Sequence, residues 1–276
     1  PEFIIDEASA ANAELLAKVR GIAAEGSRVV ALVHADEAVA NDELPATRTV
    51  AALVVLEEDL RPDAAETLDY FRSQDVHVRV ISGDNPTTVG ALATQAGLTA
   101  PDGSPARLMD ARDLPEDLTS DEFIDAIENH DVFGRVTPEQ KRAMVGALQA
   151  RDHCVAMTGD GVNDAPALAR AEVGIAIGAG TDVAMESAGV VLASDDPRAI
   201  LSMIELSQAS YRKMIQNLIW ASGYNILAVP LAAGVLASSG ILLPPAAAAV
   251  LMSLSTIVVA LNAQLLRRID LDPAHL

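Results

Sequence analysis

The sequence predicts an α/β domain with a parallel sheet, followed by a pair of membrane-spanning helices. Short apolar runs alternate with helical patterns through the first 200 residues, which is typical of strand–helix–strand units. A glycine-rich turn with two carboxylates follows one of these runs. Two uncharged stretches, residues 214–236 and 246–266, each match the roughly 20 residues that a bilayer core requires.

The charge of the chain is strongly acidic and unevenly distributed. The 276 residues carry a net charge of −20. From residue 201 onward the chain has three carboxylates and four basic side chains: Glu205, Asp270, Asp272, Arg212, Lys213, Arg267 and Arg268. The first 200 residues therefore carry about −21. This distribution is typical of a cytosolic domain attached to membrane helices, and it excludes a nucleic-acid partner, whose phosphates require a basic surface.

The single cysteine and the amino-terminal residues restrict redox chemistry and targeting. Cys154 lies in an apolar run and cannot form an internal disulfide, so we expect a buried, inert thiol. The first six residues contain neither a methionine nor a basic segment. We therefore expect no signal peptide, and we expect the sequence to be part of a longer protein.

Residues 1–81 predict two helices and three strands. A helical pattern at 13–20 and a strand-like run at 28–33 precede a polar stretch, 36–48. A strand at 50–56, a helix at 60–71 that starts near a proline, and a strand at 76–81 follow. Because strand, helix and strand succeed one another within about thirty residues, we predict a buried parallel crossover unit.

The turn after this unit, Ser82-Gly83-Asp84-Asn85, has the composition of an anion-binding loop. It precedes a predicted helix at 87–96, and the serine hydroxyl and the first backbone N–H groups can donate to phosphate oxygens. An ordinary helix cap explains the same four residues about as well.

A second candidate phosphate ligand is Lys141. Residues 99–130 are predicted to be a surface excursion with an acidic helix at 120–129, and we assign no chemistry to them. Thr137, as an N-cap before Pro138, then predicts a helix with Lys141 in its first turn. An ammonium group at that place can reach a phosphoryl oxygen.

The two carboxylates of the glycine-rich turn are Asp160 and Asp164, with Asn163 beside the second. The apolar run 154–157 predicts a buried strand before them, so the turn should lie at the carboxyl edge of the sheet, where α/β folds bind ligands. No basic residue lies within the turn. The carboxylates repel each other unless a cation binds, and Mg²⁺ with a phosphoryl group fits that need. A solvated turn is the alternative for a bare Gly-Asp-Gly sequence.

The remaining elements lead into the two predicted spans. Strands at 173–178 and 190–192 enclose a helix at 183–188, and a long helix begins at residue 199. Basic pairs flank the outer ends of the spans, so a hairpin with both ends in the cytoplasm is expected. Polar groups inside a span indicate a protein-lined site or a helix contact. The candidate ligands of a transported ion are Tyr224, Asn225, Met252, Ser253, Ser255, Thr256 and Asn262.

The run Met-Thr-Gly-Asp-Gly-Val-Asn-Asp-Ala-Pro-Ala-Leu at 157–168 resembles the hinge motif of P-type ATPases. These cation pumps are built on a Rossmann-like, haloacid dehalogenase-type phosphorylation domain, and the resemblance covers nearly the whole chain. It implies ATP and Mg²⁺ as cofactors. Asp160 would hold the metal, Asp164 would be a less favoured metal ligand, and Asn163 and Asp164 would order the phosphate site.

The resemblance extends to the other candidate loops. Ser82 stands where the family has a threonine in a Thr-Gly-Asp-Asn run, which keeps the hydroxyl donor. Gly83 and Asp84 would then contact the nucleotide, and Lys141 matches the lysine of the phosphate site. The family's phosphorylated aspartate, in an Asp-Lys-Thr-Gly-Thr run, does not occur in this sequence, and neither does the Cys-Pro motif of the metal-binding helix.

The two spans are similar to the last membrane helices of the heavy-metal branch, in its CopB-like copper-exporting subgroup. The similarity rests on Gly-Tyr-Asn at 223–225 and Met-Ser-Leu-Ser-Thr at 252–256. A thioether suits Cu⁺, whereas amide and hydroxyl oxygens are harder ligands, so both Cu⁺ and Cu²⁺ stay open. Residues 60–98 and 133–157 are more similar to calcium or general cation pumps. Calcium, zinc, cadmium and potassium are therefore alternative ions.

Together these resemblances predict a multi-pass protein of the plasma (inner) membrane. The predicted segments are a remnant of the nucleotide-binding domain (1–48), the phosphorylation domain (49–198), a connecting helix (199–213) and transmembrane helices (214–236 and 246–266). Its partners would be the rest of the pump, the lipid bilayer and the transported ion, and the chain alone would be inactive. Two other hypotheses are a soluble-type phosphohydrolase and a non-catalytic, membrane-anchored module.

Overall fold

The computed structural model describes residues 1–2, 4–5, 10–36, 44–45, 47–178, 180–194, 196, 198–240, 244–269 and 271. The chain forms two compact units, Pro1–Asp196 and Pro197–Leu276. The helices are α1 (Ala10–Ala24), α2 (Ala64–Ser73), α3 (Pro86–Gln95), α4 (Asp121–Glu128), α5 (Pro138–Ala150), α6 (Ala165–Leu168), α7 (Asp182–Ser187), α8 (Ala199–Ala232) and α9 (Pro245–Gln264). The strands are β1 (Arg28–His34), β2 (Thr49–Leu56), β3 (Val80–Ile81), β4 (Leu108–Asp110), β5 (Val132–Gly134), β6 (Ala156–Gly159), β7 (Val173–Ala176) and β8 (Val190–Val191).

The first unit contains two parallel sheets, which confirms the predicted α/β class. One has the strand order β3-β5-β4, and the other has the order β6-β7-β8. In the first, Val132 of β5 is the register partner of both Val80 and Leu108. Strands β4 and β5 were not predicted, because each is only three residues long and too short for a periodic pattern.

The predicted crossover between residues 50–56 and 76–81 is wrong. Strand β2 pairs with β1 in an antiparallel ribbon, whereas β3 pairs with β5 in a different sheet. The ribbon is also not buried, since Val54 is 46% exposed. The apolar composition of β2 does not identify its pairing partner, and β1 matches it along nearly its whole length. Of the polar stretch before β2, residues 37–43 and 46 lie outside the described residues.

Helix α5 packs on both parallel sheets. Its Met144 is fully buried in a cluster with Phe133 of β5, and its Val145 belongs to a second cluster with Met157 of β6. The helix therefore connects β5 to β6 and covers one face of each sheet. Its amino terminus lies beside the loops that follow β3 and β6, which contain Ser82 and Asp160.

Four helices of this unit begin at a side-chain cap, as local sequence predicts. Asn85 caps α3, Ser120 caps α4, Thr137 caps α5 and Thr181 caps α7, and each side chain accepts a backbone N–H of the first turn. At α5 the cap is reciprocal: Gln140 N donates to the Thr137 hydroxyl, and the Gln140 side chain accepts from Thr137 N. The predicted acidic helix and the predicted start of α5 are confirmed.

The expectation of a buried Cys154 is wrong, because its thiol is exposed. Strand β6 begins at Ala156, two residues later than the apolar run suggests, and α5 ends at Ala150. Between them Asp152 adopts a positive φ of 61°, so Cys154 lies in a connecting loop rather than in the sheet.

The second unit consists of α8 and α9. Helix α8 is continuous through the predicted boundary at 213/214, and it ends at Ala232 rather than at residue 236. Gly234 adopts a φ of 81°, and Val235 N donates to Pro230 O, which is the hydrogen-bond pattern of a Schellman helix end.

Among the described residues, one helical segment, Ala249–Arg268, has the length and apolar composition to cross a membrane. It overlaps the second predicted span. Gln216, Asn217 and Asn225 lower the apolar character of the first predicted span. The transmembrane hairpin therefore stays a prediction.

Candidate functional site

The centre of the candidate site is an ion pair between Lys141 and Asp164. Lys141 Nζ lies 2.7 Å from Asp164 Oδ1, and the two side chains are only 12% and 11% exposed. The other carboxylate oxygen, Oδ2, accepts from Gly161 N at 3.2 Å. Lysine from the first turn of α5 thus holds the turn after β6 in one conformation.

Asp160 differs from Asp164 in every one of these respects. Its carboxylate is exposed and has no hydrogen-bond or ion-pair partner among the described residues. Its backbone oxygen accepts from Thr181 N at 2.8 Å, so the start of α7 fixes the main chain of the turn. Asn163 is also exposed. Within the turn, the Asp160 carboxylate is therefore available to a ligand, whereas the charge of Asp164 is neutralised by Lys141.

The loop Ser82-Gly83-Asp84 lies against the end of β5. Ser82 N donates to Phe133 O at 2.9 Å, and Val136 N donates back to Ser82 O at 3.0 Å. The Ser82 hydroxyl accepts from Asp84 N at 3.1 Å and can still donate its proton. Val136 is followed by Thr137, the N-cap of α5, and Lys141 lies in the first turn of that helix. The Ser82 loop and the Asp160–Asp164 turn therefore flank the start of α5.

Close backbone approach explains two glycines of the site. A Cβ on Gly159 would lie 2.6 Å from Asp164 Cβ, so only glycine leaves room for the Lys141–Asp164 pair. A Cβ on Gly134 would lie 2.4 Å from Pro86 Cα, at the start of α3. The requirement at Gly134 is not visible in the sequence, since Gly134 and Pro86 lie in segments that are distant in the chain.

A group of arginines beside the Ser82 loop was missed by the sequence analysis. Arg135 pairs with Asp110 at 2.5 Å and with Glu2, and Arg28 pairs with Asp84 at 3.2 Å. Burial would raise the pKa of Asp110, but hydrogen bonds from Arg112 and the charge of Arg135 outweigh it and lower the pKa to about 2. Asp110 lies in the excursion to which no chemistry was assigned, and no sequence signal connects it to the site.

A structural polar cluster lies at the amino-terminal edge of the sheet β3-β5-β4, opposite the Ser82 loop. Asp131 is fully buried, and it accepts from Arg107 N at 2.7 Å and lies 2.9 Å from His77 Nε2. Burial would raise the pKa of Asp131, but hydrogen bonds from Arg107 and His77 lower it. Burial and the charge of Arg79 lower the pKa of His77. These residues precede their strands and therefore lie away from the candidate site.

The predicted ion ligands of the second unit are only partly accessible to a cation. Both atoms of the Asn262 amide already have partners: Oδ1 accepts from Lys213 Nζ at 2.9 Å, and Nδ2 donates to Asn217 Oδ1 at 2.8 Å. The Ser253 and Thr256 hydroxyls donate to backbone carbonyls of their own helix. Asn225 and Met252 are exposed, Ser255 and Tyr224 are partly exposed, and Tyr224 has a polar partner.

Comparison with known proteins agrees with the fold. Residues 5–172 match the family model of the haloacid dehalogenase-like hydrolases. The chain is 43% identical over 218 residues to a copper-exporting P-type ATPase B of Archaeoglobus fulgidus, covering 79% of this chain and 27% of the relative. It is 47% identical over 192 residues to the calcium-transporting ATPase CtpE of Mycolicibacterium smegmatis, covering 70% and 23%.

A solved structure is also similar. The crystal structure of a zinc-transporting PIB-type ATPase in its E2.Pi state superposes with a TM-score of 0.63 at 27% identity, covering 91% of this chain and 33% of that chain. The chain thus spans about a quarter of the length of the curated relatives named above. The resemblance to P-type ATPases is confirmed, and the chain belongs to the haloacid dehalogenase-like hydrolases.

Proposed function

We propose that the chain is the carboxyl-terminal part of an ATP-driven, heavy-metal-exporting P-type ATPase, with copper as the transported ion. The observation that carries this proposal is the arrangement of charges after β6. A buried Lys141–Asp164 pair orders the turn, and an exposed Asp160 without a described partner stands beside it. The 43% identity to a copper exporter supports the choice of ion.

The donor set around Asp160 fits Mg²⁺. No group of three or more His, Cys, Asp or Glu that could hold a metal is present among the described residues. Mg²⁺ is usually bound by one or two carboxylates, with water and substrate phosphate as its other ligands. Asp160 would supply that carboxylate, while Asp164 is occupied by Lys141. The bound ion would neutralise charge on a phosphoryl group.

The other residues would position the phosphoryl group. The Ser82 hydroxyl would donate to its oxygens, and the Lys141 ammonium would stabilise their charge. Gly83 and Asp84 would contact the nucleotide, next to Arg28. Asn163 and Asp164 would keep the turn in place.

The acceptor aspartate would come from the rest of the pump. Among the described residues β3 pairs only with β5, and β6 pairs only with β7, so each strand has one edge without a partner. These are the strands that end at Ser82 and Asp160. A strand that pairs with one of these edges would bring its carboxyl end, and an aspartate there, beside the phosphate ligands.

The local part of this proposal is testable on the chain itself. Inorganic phosphate should broaden in ³¹P NMR when the chain and Mg²⁺ are both present, and less when either is absent. Asp160→Asn should abolish the Mg²⁺ dependence, whereas Asp182→Asn, at an exposed carboxylate of α7, should preserve it. Equal broadening with Asp160→Asn and the unmodified chain would refute the role of Asp160.

The choice of ion requires the full-length protein. ATP turnover should increase with Cu⁺ or Cu²⁺ more than with Zn²⁺ or Ca²⁺. Stimulation by Ca²⁺ and by neither copper ion would instead support a calcium pump, which the 47% identity to a calcium-transporting ATPase makes the second candidate. On either assignment the chain would function in a membrane, with its first unit in the cytoplasm.

A further inference from the structure

Four basic side chains from two distant segments lie at the same end of the helix pair α8 and α9. The Asn262 amide bonds to Lys213 and Asn217, which places this part of α9 beside this part of α8. Arg212 precedes Lys213, and Arg267 and Arg268 follow Asn262. The pairing of the helices therefore brings together charges that are some fifty residues apart in sequence.

The chain beyond α9 continues along α8. The 3-10 helix Leu265–Arg268 lies against α8, and Ser202 Oγ donates to Leu271 O at 2.9 Å. Arg267 and Arg268 thus lie beside the part of α8 between Ser202 and Lys213. At about 1.5 Å per residue, this interval of α8 is roughly 16 Å long.

The charges of this basic cluster, Arg212, Lys213, Arg267 and Arg268, are not neutralised by the described part of the chain. The three arginines are exposed, and none of the four side chains has an ion pair with a described carboxylate. Within the described residues of this unit, Glu205 is the single carboxylate. Asp270 and Asp272 lie outside the described residues.

The basic cluster adjoins an exposed apolar surface. Met214, Leu218 and Leu261 are 56%, 59% and 62% exposed, and the apolar segment Ala249–Arg268 ends at the two arginines. Tyr211, 62% exposed, stands beside Arg212, where an aromatic ring is favoured at a membrane surface. A ligand for this end of the helices must therefore carry both an anionic group and an apolar body.

We propose that the basic cluster binds the phosphate groups of anionic phospholipids. Arginine and lysine side chains both donate charge-assisted hydrogen bonds to phosphate oxygens, and basic side chains next to a span attract anionic headgroups. Free phosphate would satisfy the charge and leave the apolar side chains in water, so a phospholipid fits better. The inference rests on the membrane placement in the proposed function.

The chain carries its own probe for this site. Trp220 is the single tryptophan, it is 60% exposed, and it lies two turns after Lys213 on α8. The full chain is reconstituted in phosphatidylcholine vesicles that contain a fixed fraction of brominated phosphatidylglycerol or brominated phosphatidylcholine. Quenching of Trp220 should show about a fivefold preference for phosphatidylglycerol, which corresponds to about 1 kcal/mol.

Two matched variants separate charge from packing. The preference for phosphatidylglycerol should disappear in the triple variant Arg212→Gln/Arg267→Gln/Arg268→Gln. It should be kept when the same three residues are changed to Lys. High salt should weaken the preference of the unmodified chain. Equal quenching by both lipids, or a preference that survives the glutamine changes, would overturn the proposal. An absence of quenching by either brominated lipid would instead refute the membrane placement itself.

Discussion

Removal of the ammonium group of Lys141 should destabilise the first unit markedly. Its Nζ is 2.7 Å from Asp164 Oδ1, and both side chains are nearly nine-tenths buried, at 12% and 11% exposure. Exposed ion pairs contribute about 0–1 kcal/mol, whereas loss of one partner of a buried pair costs about 3–5 kcal/mol. Because Gly161 N still donates to Asp164, we expect Lys141→Met to cost about 3 kcal/mol, at the lower end of the buried range.

The assay is urea unfolding of the full chain in detergent, followed by far-ultraviolet circular dichroism. Lys18→Met, at an exposed lysine of α1, is the matched control and should change the free energy of unfolding by less than about 0.5 kcal/mol. Addition of Asp164→Asn to Lys141→Met should cost less than the sum of the single changes, by about 1–3 kcal/mol. A loss with Lys141→Met no larger than with Lys18→Met, or strict additivity, would refute the reasoning.

Three further changes test other parts of the account, each by urea unfolding. Gly159→Ala should cost about 1–3 kcal/mol, because the new Cβ would lie 2.6 Å from Asp164 Cβ, whereas Gly21→Ala, with no atom within 4 Å, should cost nothing; equal effects would contradict the crowding. Thr137→Ala should cost about 1 kcal/mol by removing the cap of α5, and an unchanged midpoint would contradict the capping role. Burial lowers the pKa of His77 below 6.5, so this imidazole is protonated more readily in the unfolded chain than in the folded chain. Stability should therefore fall as pH falls through about 6.5, and His77→Gln should flatten this slope; an unaltered slope would contradict it.

Local chemistry made part of this fold predictable. The cap Thr137 depends on residues that follow it within one turn, so a single sequence reveals it. The glycine-rich turn after β6 was placed correctly for the same reason. In contrast, the partner of β2 depends on β1, across the polar stretch that separates them, and the apolar composition of β2 fits both a buried and an edge strand.

The different roles of the Asp160 and Asp164 carboxylates also depend on residues distant in the chain. The residue pattern alone does not distinguish Asp160 from Asp164, and only the resemblance to P-type ATPases favoured Asp160 as the Mg²⁺ ligand. The structure distinguishes them because α5 brings Lys141 to Asp164 alone. The Arg135–Asp110 contact was missed because β4 and β5, which bring those residues together, are too short to give a pattern.

The central claim is that Asp160 is the carboxylate available to a metal-bound phosphate, while Asp164 serves to order the turn. The most direct measurement is anomalous diffraction from crystals of the chain soaked in Mn²⁺, a substitute for Mg²⁺, together with inorganic phosphate. The account predicts a metal peak about 2.1 Å from an Asp160 carboxylate oxygen, with phosphate density within reach of Ser82 and Lys141. A peak at Asp164 with the Lys141 contact broken, or phosphate bound away from this loop, would contradict it.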